Sequence, residues 1–245
     1  MRRSVLISWA LIILILVIWE AACRGFDLPD FILPMPSRII SVAVLQAPML
    51  LPHAATTAME VLIGILLSLM VSVPLAMIMF ANPAVENAMA PFLVASQAVP
   101  VFAIAPLLVI WLGYGIASKV LMAAVIIFFP ITVSLLEGFK SCDSEYRILF
   151  QLMGAGFWKT MRLLYWPWAL PHFFAGLKVG VSVATIGAVI GEWVGAQQGL
   201  GYLMIQANAR LKVDLVFAAI LWLSAMGLSL WVLVGYLEKK IITWK

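Results

Sequence analysis

Glu60, Lys178 and Glu192 are ionisable side chains set inside long apolar stretches of the sequence. A charge in that setting is costly, which makes each a candidate site. Glu60 stands near the start of its stretch, where the plainest reading is a side chain that reaches the interface. Lys178 stands about two turns in and can snorkel towards the cytoplasm. Glu192 has two readings: an outer-end carboxylate satisfied by water or by backbone amides of the following loop, or a pathway or gate residue. Gln97, in Ser96-Gln97-Ala98-Val99-Pro100, either hydrogen-bonds across helices or touches a solute.

Bond-making chemistry finds no footing. His53 and His172 are far apart, and no His-Glu-x-x-His or paired-cysteine spacing offers a metal site. Gly154-Ala-Gly-Phe-Trp-Lys159-Thr160 looks superficially like a phosphate loop. That loop needs glycine directly before the lysine, so that backbone amides can close around phosphate. Trp158 occupies the place. No catalytic residue, metal or bound cofactor is therefore expected, and nucleotide energy has to come from another chain.

The elements that hold these side chains are membrane helices. The chain is 65% hydrophobic and 11% charged, against about 25% charged in soluble domains, so lipid must be its main solvent. Its 245 residues leave room for five or six spans of about 20 residues and for no separate soluble domain. Six apolar segments can be drawn, at about 4–22, 57–80, 90–112, 118–136, 169–195 and 215–237. Pro100, Pro106 and Pro130 interrupt the third and fourth, which spans tolerate when neighbours satisfy the freed carbonyls. Residues 36–55, with Pro36, Pro48 and Pro52, suit a short helix at the interface. The expected organisation is a first span and interfacial segment over 1–56, a core over 57–237 with a loop at about 137–168, and a tail over 238–245.

Charge sets the orientation. With the N-terminus in the cytoplasm, the inside receives Arg2, Arg3, Lys140, Arg147, Lys159, Arg162, Lys239, Lys240 and Lys245, and the outside Arg24, Arg38, Lys119, Arg210 and Lys212. Nine against five favours both termini inside. No block of like charge points to nucleic acid. Cys23 then lies outside and Cys142 inside, so no structural disulfide is expected. Met1-Arg2-Arg3 and the apolar run after it resemble a signal, but Glu20 stands where an aliphatic residue belongs before Cys23, and the run is long enough to span. It reads as a retained first helix.

The fifth segment carries a row at i+4 spacing: Gly176, Gly180, Ala184, Ala188, Glu192, Ala196. A neighbouring row runs Gly187, Gly191, Gly195, Gly199. Small residues at this spacing let helices approach closely. Gly187, Gly191 and Gly195 are thus packing residues, the segment is buried in the bundle, and Glu192 points into protein or a water-filled cavity. Lys178 cannot neutralise it along the same helix, from which it is separated by about 21 Å of rise.

One passage, Met153-Gly-Ala-Gly-Phe-Trp-Lys-Thr-Met-Arg-Leu-Leu-Tyr-Trp-Pro-Trp-Ala-Leu-Pro171, sets charge and aromatics outside the bilayer between two spans. Gly154, nine residues, then Leu164-Tyr165-Trp166-Pro167 resembles the cytoplasmic signature of ABC importer permeases. Gln97 to Gly115, Leu33-Pro34-Met-Pro36-Ser37 and Gly191-Glu192-Trp193…Gly199-Leu200-Gly201 are similar to the branch serving sulfonate, nitrate, taurine and thiamine-pyrimidine importers. The resemblance covers about residues 30–237. One departure stands out: the family's Glu-Ala-Ala triplet is replaced by Ile148-Leu149-Phe150, with Glu145 the nearest acid.

The resemblance implies an all-α membrane protein of the type I ABC importer permease fold with about six transmembrane helices, in a bacterial inner membrane. It implies a homodimer with two ATPase subunits, which bind ATP and magnesium, and an external solute-binding protein. The loop would be the coupling helix that docks on the ATPase, with Glu145, Phe150, Gly154, Phe157, Trp158, Lys159, Arg162 and Pro167 in the coupling region. Phe150, Phe157 and Trp158 would anchor it, with Lys159 and Arg162 at the rim. Gln97, Pro100 and Glu192 are the expected pathway residues. Two rival classes make different predictions: a proton-coupled secondary transporter working through Glu192, which should show inverted repeats, and a non-transporting membrane scaffold.

Overall fold

The computed structural model describes residues 2–244, and side chains from Ile7 onward except that of Ser8. The chain is helical: α1 (Arg2–Gly25), α2 (Pro36–Leu45), α3 (Ala47–Ala81), α4 (Pro83–Ala98), α5 (Val101–Leu112), α6 (Ile116–Lys140), α7 (Ser144–Leu152), α8 (Phe157–Thr160), a π turn (Met161–Tyr165), α9 (Trp166–Gly195), α10 (Leu200–Ala209) and α11 (Val213–Ile241). Among the described residues four stretches are long and apolar enough to cross a bilayer: Ala47–Ala81, Ile116–Lys140, Phe157–Gly195 and Val213–Ile241. α4 and α5 make a fifth as a bent pair. These hold five of the six expected segments; the first, 4–22, falls in α1, a 24-residue helix.

Three boundaries differ from the reading of the sequence. The second span begins at Ala47, so the interfacial helix is only α2 and the 35 residues of α3 run on without a stop. Pro48 does not prevent this, because an amide in the first turn has no helical partner to lose. The third segment is not one rod: its two halves meet at 99°. Pro100 forces its predecessor out of the helical region, and Val99 has ψ 120°. Finally, the loop at 137–168 is shorter than drawn. α6 runs to Lys140, and from Phe157 the chain is helical through the π turn to Gly195. Pro167 therefore lies near the start of α9, where a proline is tolerated, and not at a loop end.

The chain divides into two packed units, Met1–Thr57 with Gln197–Ala225, and Ala58–Ala196 with Met226–Lys245. In the second unit α6 and α9 are the interior pair. Half of the α6 span and 44% of the Phe157–Gly195 span are buried, against 22% of α11, which leaves most of its surface open. Hydrocarbon offers helices no hydrophobic drive to associate, so close van der Waals packing must hold them. The glycine row supplies it. A Cβ on Gly176 would lie 2.6 Å from the Pro130 carbonyl oxygen, and one on Gly187 2.7 Å from Ala123 Cα. At the other end of the pair an aromatic cluster joins α3, α6 and α9: Phe80 stacks near Phe139 (5.3 Å) and edge-on to Tyr165 (4.7 Å), and Phe139 meets Trp166 (5.9 Å).

In the first unit α10 is tied to α3 by backbone donors. The Leu200 amide donates to Thr57 Oγ1 at 2.9 Å and the Gly199 amide to His53 Nδ1 at 3.1 Å. Trp222 Nε1 donates to the Ala43 carbonyl at 3.2 Å, joining α11 to α2. Arg38 bridges Asp30 (3.1 Å) and Asp214 (3.4 Å).

The close approach of α6 and α9 yields a direct test. Gly187→Ala sets a methyl against backbone that cannot step aside and should cost about 1–3 kcal/mol, the usual range for overpacking. Gly156→Ala, with nothing within 4 Å, should leave the melting temperature in detergent unchanged. Equal melting temperatures for the two variants would contradict the tight seam.

Candidate functional site

The segment between α6 and α9 is built to present side chains outward. Asp143 caps α7, accepting from the Glu145 amide at 3.0 Å, and Glu145 in the first turn complements the helix dipole. None of the α7 side chains is buried. The helix ends in a Schellman cap: the Ala155 amide donates to the Phe150 carbonyl and the Gly154 amide to that of Gln151, both at 3.0 Å. Gly154 sits at φ +66°, a left-handed position that favours glycine. The turn throws Leu152 (81% exposed), Met153 (73%) and Trp158 (73%) into the open.

The structure brings most of the expected coupling residues together here. Phe157 packs edge-on against Trp158 with ring centroids 5.5 Å apart, and Lys159 and Arg162 are exposed beside them. Glu145 is exposed on α7, while Phe150 and Pro167 are half-buried. Ile148 and Leu149, standing where the signature has Glu and Ala, are 54% and 50% exposed, so an exposed isoleucine takes the place of the acid. Tyr165 and Trp166, at the root of the segment, belong to the aromatic cluster and fix its base to the spans. Lys140 makes an ion pair with Glu86 of α4 at the same end. Burial pushes the Cys142 thiol up against the opposing pull of Arg147, which leaves it a poor nucleophile.

The expected pathway residues are not brought together. Gln97 and Pro100 are exposed at the break between α4 and α5, where the Gln97 amide reaches only Ser96 Oγ at 3.4 Å. Glu192 is 1% exposed, inside the bundle. It hydrogen-bonds Glu60 of α3, itself 2% exposed, so Glu60 does not reach the interface. Lys119 of α6 supplies the countercharge. It is 5% exposed and donates to the Tyr114 and Gly115 carbonyls at 3.0 Å each. Gly191 makes room for this: a Cβ there would lie 3.0 Å from Lys119 Cα. Among the described residues, Glu60 Oε2 has no hydrogen-bond partner. Counting Lys119 as an outer loop charge hid this cluster; its place one residue into an apolar segment was the available signal. Lys178 likewise does not simply snorkel. It pairs with Glu238 of α11 and lies 5.6 Å from the Trp231 ring centroid.

Removing one member of a buried charged cluster leaves the others uncompensated, typically at about 3–5 kcal/mol. Lys119→Met should lower the melting temperature sharply. Lys119→Met combined with Glu192→Gln should recover part of that loss, since one uncompensated carboxylate is gone. Strictly additive losses in a double-mutant cycle would contradict a shared cluster.

Comparison with known proteins agrees with this architecture. Residues 61–243 match the family described as binding-protein-dependent transport system inner membrane component. The chain is 40% identical over 228 residues to a probable ABC transporter permease protein of Haemophilus influenzae, covering 93% of each chain. It is 38% identical over 234 residues to the formylaminopyrimidine transport permease protein ThiX of Halalkalibacterium halodurans, covering 95% of this chain and 93% of that one. It is 36% identical over 236 residues to the riboflavin transport system permease protein RibX of Chloroflexus aurantiacus, covering 96% and 88%. The proton-coupled and scaffold readings fall with these matches. The chain belongs to the binding-protein-dependent inner membrane components: it is the multi-pass permease subunit of an ABC importer for small solutes, works with an ATPase and a binding protein, and is not itself catalytic.

Proposed function

We propose that two copies of this chain form the translocation pathway for a small solute carrying a heteroaromatic ring, and that residues 144–162 couple it to two ATPase subunits. The observation that carries the coupling assignment is the Schellman-capped segment with Leu152, Met153, Phe157 and Trp158 exposed beside Lys159 and Arg162. Apolar anchors ringed by charge, at the end of the short α7 and at the exposed start of the long Phe157–Gly195 helix, suit a protein groove better than lipid. ATP and magnesium are held by the ATPase. Its movements reach the spans through the aromatic cluster at the base of the segment. A ring-bearing solute is supported by the names of two relatives, which carry formylaminopyrimidine and riboflavin.

Both termini lie in the cytoplasm in this reading, on the nine-to-five division of basic residues. Gln97 and Pro100, exposed at the broken third span, face the solute. Glu192 acts from behind it as a gate residue through Glu60 and Lys119.

Gly154→Glu forces a side chain onto a left-handed backbone and adds a charge to the docking face. Trp158→Ala removes an anchor, for which about 2 kcal/mol or more is typical. Both variants should reach the membrane and retain the binding protein while losing the ATPase on copurification; full ATPase retention in both would refute the coupling assignment. For orientation, Lys159→Cys and Asn208→Cys, in a background with Cys23→Ser and Cys142→Ser, should label from opposite membrane faces. Labelling of both from the outside would overturn it.

A further inference from the structure

The first unit contains a cavity of about 660 Å³ between α2, the start of α3, α10 and the α10–α11 turn. That volume lies within the range of small-molecule sites. Its walls are chemically sorted. Arg38 is already occupied, bridging Asp30 and Asp214. Arg210 and Lys212, at the rim, have no acidic partner among the described residues. The rings of His53 and Tyr202, with centroids 6.3 Å apart, line the same cavity. The Gln206 amide donates to the Tyr202 hydroxyl, which holds that ring in place.

The turn that carries the two cations is strained. Lys212 and Leu211 donate their amides to the Ala207 and Asn208 carbonyls, closing a Schellman cap with Leu211 at φ +56°. A helix usually ends with glycine at that position. A leucine held left-handed is strained, and Arg210 and Lys212, which flank it, both line the cavity.

We infer that this cavity, lined by Arg210 and Lys212 together with the His53 and Tyr202 rings, binds a small aromatic anion. The two cations take the anionic group in charge-assisted hydrogen bonds, and the ring lies against Tyr202 and His53. A concave, ring-walled site suits a small molecule rather than the flat face of a docked protein. Access from outside the cell rests on the orientation proposed above.

The full chain, in lipid nanodiscs that leave both faces open, is titrated calorimetrically with benzenesulfonate, uncharged benzenesulfonamide and ring-free methanesulfonate. Benzenesulfonate should bind saturably, and each of the other two at least about tenfold more weakly, because each lacks one half of the recognition. Arg210→Gln with Lys212→Gln should weaken benzenesulfonate about tenfold or more without moving the melting temperature, since both side chains are exposed. Tyr202→Leu should weaken benzenesulfonate but not methanesulfonate. No saturable binding, or binding unchanged in the double variant, would overturn the assignment. So would a double variant that binds benzenesulfonate normally but no longer captures the binding protein, which would make the cavity a docking surface. Because nanodiscs expose both faces, these results do not depend on orientation, which the cysteine labelling at 159 and 208 reads separately.

Discussion

The backbones of α6 and α9 almost touch. Gly176 lies against the Pro130 carbonyl, Gly180 against Ile127, Gly187 against Ala123 and Gly191 against Lys119. In hydrocarbon this contact has no substitute, because lipid tails solvate apolar side chains as well as other side chains do. Approach is gained only where side chains are removed. The glycine row therefore fixes which helix α9 packs on, at which rotation, and at what depth along α6.

Two consequences run to opposite ends of that pair. At one end the register sets Lys119 beside Gly191 and Glu192, and Glu60 of α3 joins them. Three ionisable groups are buried together because the backbones leave room for a lysine stem between them. At the other end, the same register brings Phe139 of α6 against Trp166 of α9, with Phe80 and Tyr165 completing the cluster. This aromatic base roots the segment that carries α7 and Trp158. In the proposed coupling, a push on the exposed segment would be delivered to this close-packed seam, whose far end is the charged cluster. That continuity gives a physical route from an ATPase to the opposite side of the unit.

Much of this could be read from residue order alone, where the signal is local. The small-residue rows of α9 named the buried face, and Glu192 is buried as that face requires. Gly154, placed by the signature spacing, sits at the left-handed cap that ends α7, where glycine is favoured. What stayed hidden depends on partners distant in sequence. Periodicity shows that a face is buried but not what it meets, so the Glu60–Glu192 contact and the Lys178–Glu238 pair had no signature in either helix. Lys119 looked like a loop charge because it sits one residue inside its span. The break at Pro100 resisted reading because Pro91, Pro106, Pro130 and Pro171 all stand inside helices in the same chain. Every proline disfavours helix in the residue before it, so whether a span then bends or breaks depends also on the neighbours that can satisfy the freed carbonyls.

The central claim is that the exposed segment between α7 and α9 is where an ATPase grips this permease. Site-specific photo-crosslinking tests it most directly. Trp158→p-benzoylphenylalanine, in membranes containing the whole transporter, should capture the ATPase in high yield, and the yield should change between nucleotide-free and ATP-bound states. The same amino acid in place of Trp9, on exposed α1, should not. Failure to capture the ATPase at position 158, with the complex intact by copurification, would contradict the account.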